Sequence, residues 1–244
     1  MSKIIAIMKK DLKETFHTRA FYVSIGLVIF VVVMLIQTIG GPLTSLVKET
    51  EVTTIQALLG TFSFALSLML MLIFCTYINA YTLVLEKMKR SLEALLCTPL
   101  SLNQIMLGKT FALFLPSVIL AWLFTFASLA GINWFFITPE LGKFIMLGAA
   151  PLIAIFIAVP VVFFFFSLMM VELQLIINNI RWVNAAIMGA IFGVSFGLSA
   201  SLQFGSSSWN VVLISLGVGV ALALVAAALS RLVTRERIVL TSKG

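Results

Sequence analysis

Residues Phe21 to Ile39 form an apolar run of nineteen, and thirteen of them are Phe, Val, Ile or Leu. Such a run is long enough to cross the hydrocarbon of a bilayer as a helix, and at a few tenths of a kcal/mol per residue it favours insertion by roughly 5 kcal/mol. Five further runs are expected as spans, over 57–83, 110–130, 144–170, 183–204 and 210–230. The 244 residues are 61% hydrophobic and only 10% charged, with a mean hydropathy of +1.18. Soluble domains carry about a quarter charged residues, so composition excludes a water-soluble globular fold, and intrinsic disorder with it. The expected architecture is an all-α membrane protein of six transmembrane helices in one domain, residues 1–244.

The basic residues Lys3, Lys9, Lys10, Lys13 and Arg19 ahead of the first run resemble a secretory leader. The run is long, however, and ends in Gln37-Thr38-Ile39-Gly40-Gly41 without a small-residue cleavage site, so it is expected to be retained. Residues 1–19 have their own pattern. Ile5, Met8, Leu12 and Phe16 recur at helical spacing opposite Lys3, Lys10, Lys13, Glu14 and His17, with Ile7 out of step. This is the pattern of an amphipathic helix lying in the membrane interface among lipids.

Charge orients the spans. All of the 16 basic residues except Lys48 and Lys143 fall in the N-terminus, the 84–109 loop, the 172–182 loop and the tail from Arg231. The positive-inside rule then places both termini in the cytoplasm, which an even number of spans requires. The net charge of +7 is explained by these loops without nucleic acid. Gly40-Gly41-Pro42 is expected to turn the chain after span one. Residues 131–142, with Pro139, are expected to separate spans three and four. Pro116, Pro151 and Pro160 fall in spans and are candidate kinks.

The 84–109 loop carries the functional signal. Read as a helix, Leu85, Met88, Leu92, Leu95 and Leu96 share a face, and Glu86, Arg90 and Glu93 share its flank. Pro99 ends it. Such a stripe suits either the membrane surface or a groove on a cytosolic partner. The run Glu86-Lys87 through Ser91-Leu92-Glu93-Ala94-Leu95-Leu96-Cys97-Thr98-Pro99-Leu100-Ser101, followed by Leu107-Gly108-Lys109, resembles the permeases of the ABC-2 exporter class. The resemblance departs at Met88, where an acidic residue is typical, at Arg90, often glycine, and at Ser91, often threonine. It implies a cytoplasmic coupling helix over 85–99, between spans two and three. Glu86, Arg90, Ser91, Leu92, Glu93, Leu95, Leu96, Thr98 and Pro99 would then couple the chain to a cytosolic ATPase subunit that holds ATP and Mg. It also implies a plasma-membrane exporter built from two permease subunits, whose paired surface involves span five.

Other chemistries lack residues. Gly108-Lys109-Thr110 ends like a phosphate-binding loop, but Asn103 stands where the first glycine is needed, and the triplet opens a span rather than following a strand. The single histidine, His17, cannot build a metal cluster or a nucleophile–base pair, so no catalytic residue, metal or cofactor is expected in this chain. Cys75 and Cys97 form no CxxC motif. Glu172 and Arg181 bracket a loop, and no ionisable residue occupies the central turns of a span, which weakens an ion-coupled carrier. A membrane anchor or assembly protein without transport remains the other alternative. In span five, Gly189, Gly193 and Gly197 continue a small-residue stripe suited to close helix contact, within the chain or with a second permease subunit. The run Phe163-Phe164-Phe165-Phe166 points all around its helix and is expected against lipid and neighbouring spans.

Overall fold

The computed structural model describes residues 2–17, 19–49, 52–88, 101–176, 189, 192–193 and 209–231, and every element among them is helical. In chain order these are α1 (Ser2–Phe16), α2 (Arg19–Glu49), α3 (Val52–Met88) and α4 (Leu102–Ile132). A π turn, Asn133–Ile137, leads into α5 (Thr138–Leu141). Next come α6 (Ala149–Ile153), a second π turn (Ala154–Ala158), α7 (Val159–Ile176) and α8 (Trp209–Ser230). Five runs are long and apolar enough to cross a membrane: Phe21–Thr38, Val52–Thr76, Leu102–Leu141, Ala149–Ile176 and Trp209–Ser230. The expected span over 183–204 falls almost wholly outside the described residues.

The core of the bundle is built mainly from apolar side chains of the long helices. Phe21, Val28 and Val32 give α2 one inward stripe, while Tyr22, Val23, Phe30 and Met34 on its other faces are exposed. In water that surface would be a liability, but lipid is as apolar as these side chains. Aromatic rings join α4 to the fourth crossing at two levels. Trp122 and Phe126 hold Phe156, with ring centroids 5.0 and 5.3 Å away, and Phe111 and Phe114 hold Phe164 at 5.4 and 5.5 Å. Phe163 and Phe166 are buried, as part of the run must be. Gly219 lets α8 lie against Val161 and Val162 of α7.

Several helices run farther than their glycines and prolines suggest. The expected turn at Gly40-Gly41-Pro42 is continuous helix, because α2 continues to Glu49. The Phe136 ring occupies the space that a Cβ at position 40 would need, so Gly40 serves close packing instead. Gly131 likewise lies inside α4, and helical structure persists to Leu141, where Gly142 adopts φ 64° and ends it. A bilayer offers no water to a broken backbone, which favours continuation over a turn. The fourth crossing starts at Ala149 rather than at 144, and Phe144–Gly148 is extended. Pro151 therefore sits in a first turn, where its missing N–H costs nothing.

The two π turns share a cause. Each is followed by one residue and then a proline: Thr138-Pro139 and Val159-Pro160. In each, the last donor before the proline reaches back five residues, Thr138 to the Asn133 carbonyl and Val159 to that of Ala154. Continuing that pattern, Pro160 would have to donate to the Ile155 carbonyl, and it has no N–H. The indole Nε1 of Trp122 donates to that carbonyl instead, at 3.1 Å.

Candidate functional site

The polar residues of greatest interest gather where α1 meets the first turns of α4. Ser101 caps α4 through a reciprocal pair: the Gln104 N–H donates to Ser101 Oγ at 3.3 Å, and the Ser101 N–H donates to Gln104 Oε1 at 3.2 Å. The cap fixes the point at which the 85–99 segment must hand over to a membrane helix.

Two turns into α4, Lys109 is 2% exposed, and its Nζ donates to Asp11 Oδ2 at 3.3 Å. Burying an ammonium without a partner costs several kcal/mol, and Asp11 supplies an opposite charge to Lys109 at this depth. Ile7, Asp11 and Thr15 are the buried stripe of α1, one helical turn apart. Ile7 lies over Gly108, where an added Cβ would stand 3.0 Å from the isoleucine Cβ. The Thr15 hydroxyl donates to the Asp11 carbonyl at 2.9 Å, and that of Thr110 donates to the Met106 carbonyl at 2.9 Å.

The packing adds a face that the sequence pattern does not show. Ile5 and Phe16, on the expected apolar face, are exposed, and Ile7, the residue out of step, is the anchor against α4. Periodicity reports where the apolar residues sit, whereas the docked face is selected by Gly108 and Lys109. The helix has three faces: Ile7, Asp11 and Thr15 toward α4; Ile5 and Phe16 uncovered; and Lys9, Lys10 and Lys13 exposed. Gly108-Lys109-Thr110 thus holds a helix rather than a phosphate. Asp11 escapes sequence reasoning because a lone aspartate among lysines reads as solvated. A lysine inside an apolar run is the available signal that an acid must come from elsewhere.

Glu86 belongs to the helical backbone of α3, which runs unbroken through Met88, so the expected start of a separate helix at 85 is instead the continuation of span two. Arg90, Ser91, Leu92, Glu93, Leu95, Leu96, Thr98 and Pro99 lie outside the described residues, as do Gly197 and Arg181. Gly189 and Gly193 are exposed, with nothing among the described residues within 4 Å of an added Cβ.

Glu172 is not at a loop edge. It lies within α7, fully buried, and neither carboxylate oxygen has a hydrogen-bond partner among the described residues. On α3, the Cys75 thiol is buried 3.3 Å from Ser167 Oγ of α7, so one polar group of span two bonds between helices. Among the described residues, no group of histidine, cysteine and carboxylate side chains could hold a metal. No protein-family model, curated protein or solved structure matches this chain.

Proposed function

We infer that the chain is the transmembrane permease subunit of an ATP-driven exporter of the ABC-2 kind. It would sit in the plasma membrane with both termini cytoplasmic, paired with a second permease subunit. Two cytosolic ATPase subunits would hold ATP and Mg. One observation carries this reading: the coupling-like segment Glu86–Ser101 leaves a helix that outruns the membrane and returns through a capped one. The 37 residues of α3 span about 55 Å at 1.5 Å per residue, against a hydrocarbon core of about 30 Å. Its Met88 end therefore stands clear of the apolar layer. A segment strung between two stiff helices passes a push from below to both of them. Through Lys109, α1 would follow α4.

ATPase association tests the reading. Leu92→Asp with Leu95→Asp puts carboxylates on the leucine stripe and should abolish co-purification with the partner ATPase while membrane insertion persists. Glu93→Ala should lower substrate-stimulated ATP hydrolysis in reconstituted vesicles more than it lowers insertion. Retained ATPase binding by the double leucine variant would remove the docking role from this segment.

A second reading, an ion-coupled carrier, draws on Glu172 alone, because a buried carboxylate in a span is a recurrent proton relay. Transport driven by a pH gradient without ATP, and lost in Glu172→Gln, would favour the carrier. Transport that needs ATP and survives Glu172→Gln would exclude it.

A further inference from the structure

At the end of the bundle away from α1, the extended segment Phe144–Gly148 carries an alternating pattern. Ile145 and Leu147 are buried, while Phe144 and Met146 are exposed, the two-residue period of an extended chain. Two amides pin it. Asn133, fully buried at the start of the first π turn, accepts the Ile145 N–H at 2.9 Å and donates to the Leu129 carbonyl at 2.9 Å. Gln56 of α3 donates to the Met146 carbonyl at 2.9 Å.

Held this way, the segment walls a cavity of about 280 Å³ together with Val52, Gln56 and Leu141, and Lys143 contributes the one charge among the described lining residues. Glu140, nearby on α5, has an interaction of its own. The depth of the cavity is set by the spans: Val52 and Ala149 begin two membrane-crossing runs and Leu141 ends a third. It therefore opens where hydrocarbon gives way to headgroups. Trp134 and Phe135 are exposed at this same end, as suits aromatic side chains at a bilayer boundary.

The geometry points to a binding site for one amphiphile with an acidic headgroup, drawn from the leaflet on the Lys143 side. Its acid sits on the Lys143 ammonium, and the first carbons of its chains lie against Val52, Phe144 and Met146. Among the described lining residues a soluble anion would meet a single cation and the Gln56 amide on a wall that is mostly carbon. A zwitterion's ammonium would find no carboxylate among the described lining residues. An acid joined to alkyl chain satisfies both walls, whether it comes from an anionic phospholipid or a fatty acid. The site requires only that the chain cross a bilayer, so it stands apart from the exporter reading.

Native mass spectrometry of the full chain in neutral detergent tests it, with phosphatidylglycerol, phosphatidylcholine, oleate or inorganic phosphate added separately. One phosphatidylglycerol should be retained in preference to phosphatidylcholine, with Lys143→Gln weakening it about fivefold, toward the phosphatidylcholine level. Val52→Trp, which fills the cavity without altering charge, should weaken both lipids. Lys13→Gln, at the other end, should change neither. Displacement by oleate supports the site with a single-chain acid as occupant. Displacement by millimolar inorganic phosphate overturns the role of the chains. An unchanged preference in Lys143→Gln together with unchanged retention of both lipids in Val52→Trp overturns the site itself.

Discussion

Lys109 and Asp11, 98 residues apart in sequence, bring their charges to 3.3 Å in a contact that almost no solvent reaches. The pair joins the first helix of the chain to the third crossing. The surface pair Lys10–Glu14, at 3.7 Å and half exposed, has no such consequence, since exposed pairs contribute little.

Removing one member of the buried pair should therefore hurt more than removing both. Asp11→Ala leaves a buried ammonium and should cost about 3–5 kcal/mol in unfolding free energy. Asp11→Leu combined with Lys109→Met should lie within about 1 kcal/mol of the parent. Denaturant unfolding in micelles measures the comparison, and equal losses in the two variants would show the pair to be solvated.

Gly40 and Phe136 make a second reciprocal case. A methyl group at position 40 enters the ring's space, so Gly40→Ala should destabilise by about 1–3 kcal/mol through overpacking. Phe136→Leu in the same chain should recover most of the loss. Failure of the second substitution to help would mean that the helix backbone at 40, rather than the ring, needs glycine.

Trp122 and Pro160 are linked through one carbonyl. Trp122→Phe keeps an aromatic ring but leaves the Ile155 oxygen unpaired, at a cost of about 1–3 kcal/mol. Pro160→Ala returns a main-chain donor five residues on and should offset that loss. Thermal unfolding of the two single variants and the double variant measures the coupling. If Pro160→Ala has the same effect in the parent chain as in the Trp122→Phe background, the two donors are not substitutes.

Orientation can be read by chemical labelling in intact cells, in a chain whose native cysteines are replaced by serine. Cysteines at Ser2, Ser101 and Ser242 should react only from the cytoplasm, and those at Thr50 and Ser207 only from outside. Labelling of Ser101→Cys from outside would reverse the bundle and, with it, the place of any ATPase.

How much of this is legible in the sequence follows from what each signal measures. Apolar runs are a property of composition, so the crossings that begin at Phe21, Val52, Leu102, Ala149 and Trp209 are each found within several residues. The first and last also end as expected, at Thr38 and Ser230, whereas the third runs on to Leu141 because Gly131 stops helices in water and has less power where the backbone lacks a substitute partner. The amphipathic character of α1 is visible, yet its docked face is not, since the glycine at 108 that admits Ile7 is about a hundred positions away. Pro160 stands out as a candidate kink. Its effect on a tryptophan 38 positions upstream requires the folded pair.

The second π turn also settles a question of angular alignment. Phe156 and Phe164 are eight residues apart, which in a regular helix turns them about 80° from one another. Phe111 and Trp122, their partners on α4, are eleven apart and differ by only about 20°. A π turn takes up one additional residue and unwinds the count by about 100°, bringing Phe156 and Phe164 onto nearly one meridian. Both rings then meet the same side of α4. Span four behaves as a helix with a one-residue insertion already absorbed. Deleting a single residue from Ala154–Ala158 should preserve the phase of everything beyond Pro160, whereas a deletion within α7 would rotate all that follows.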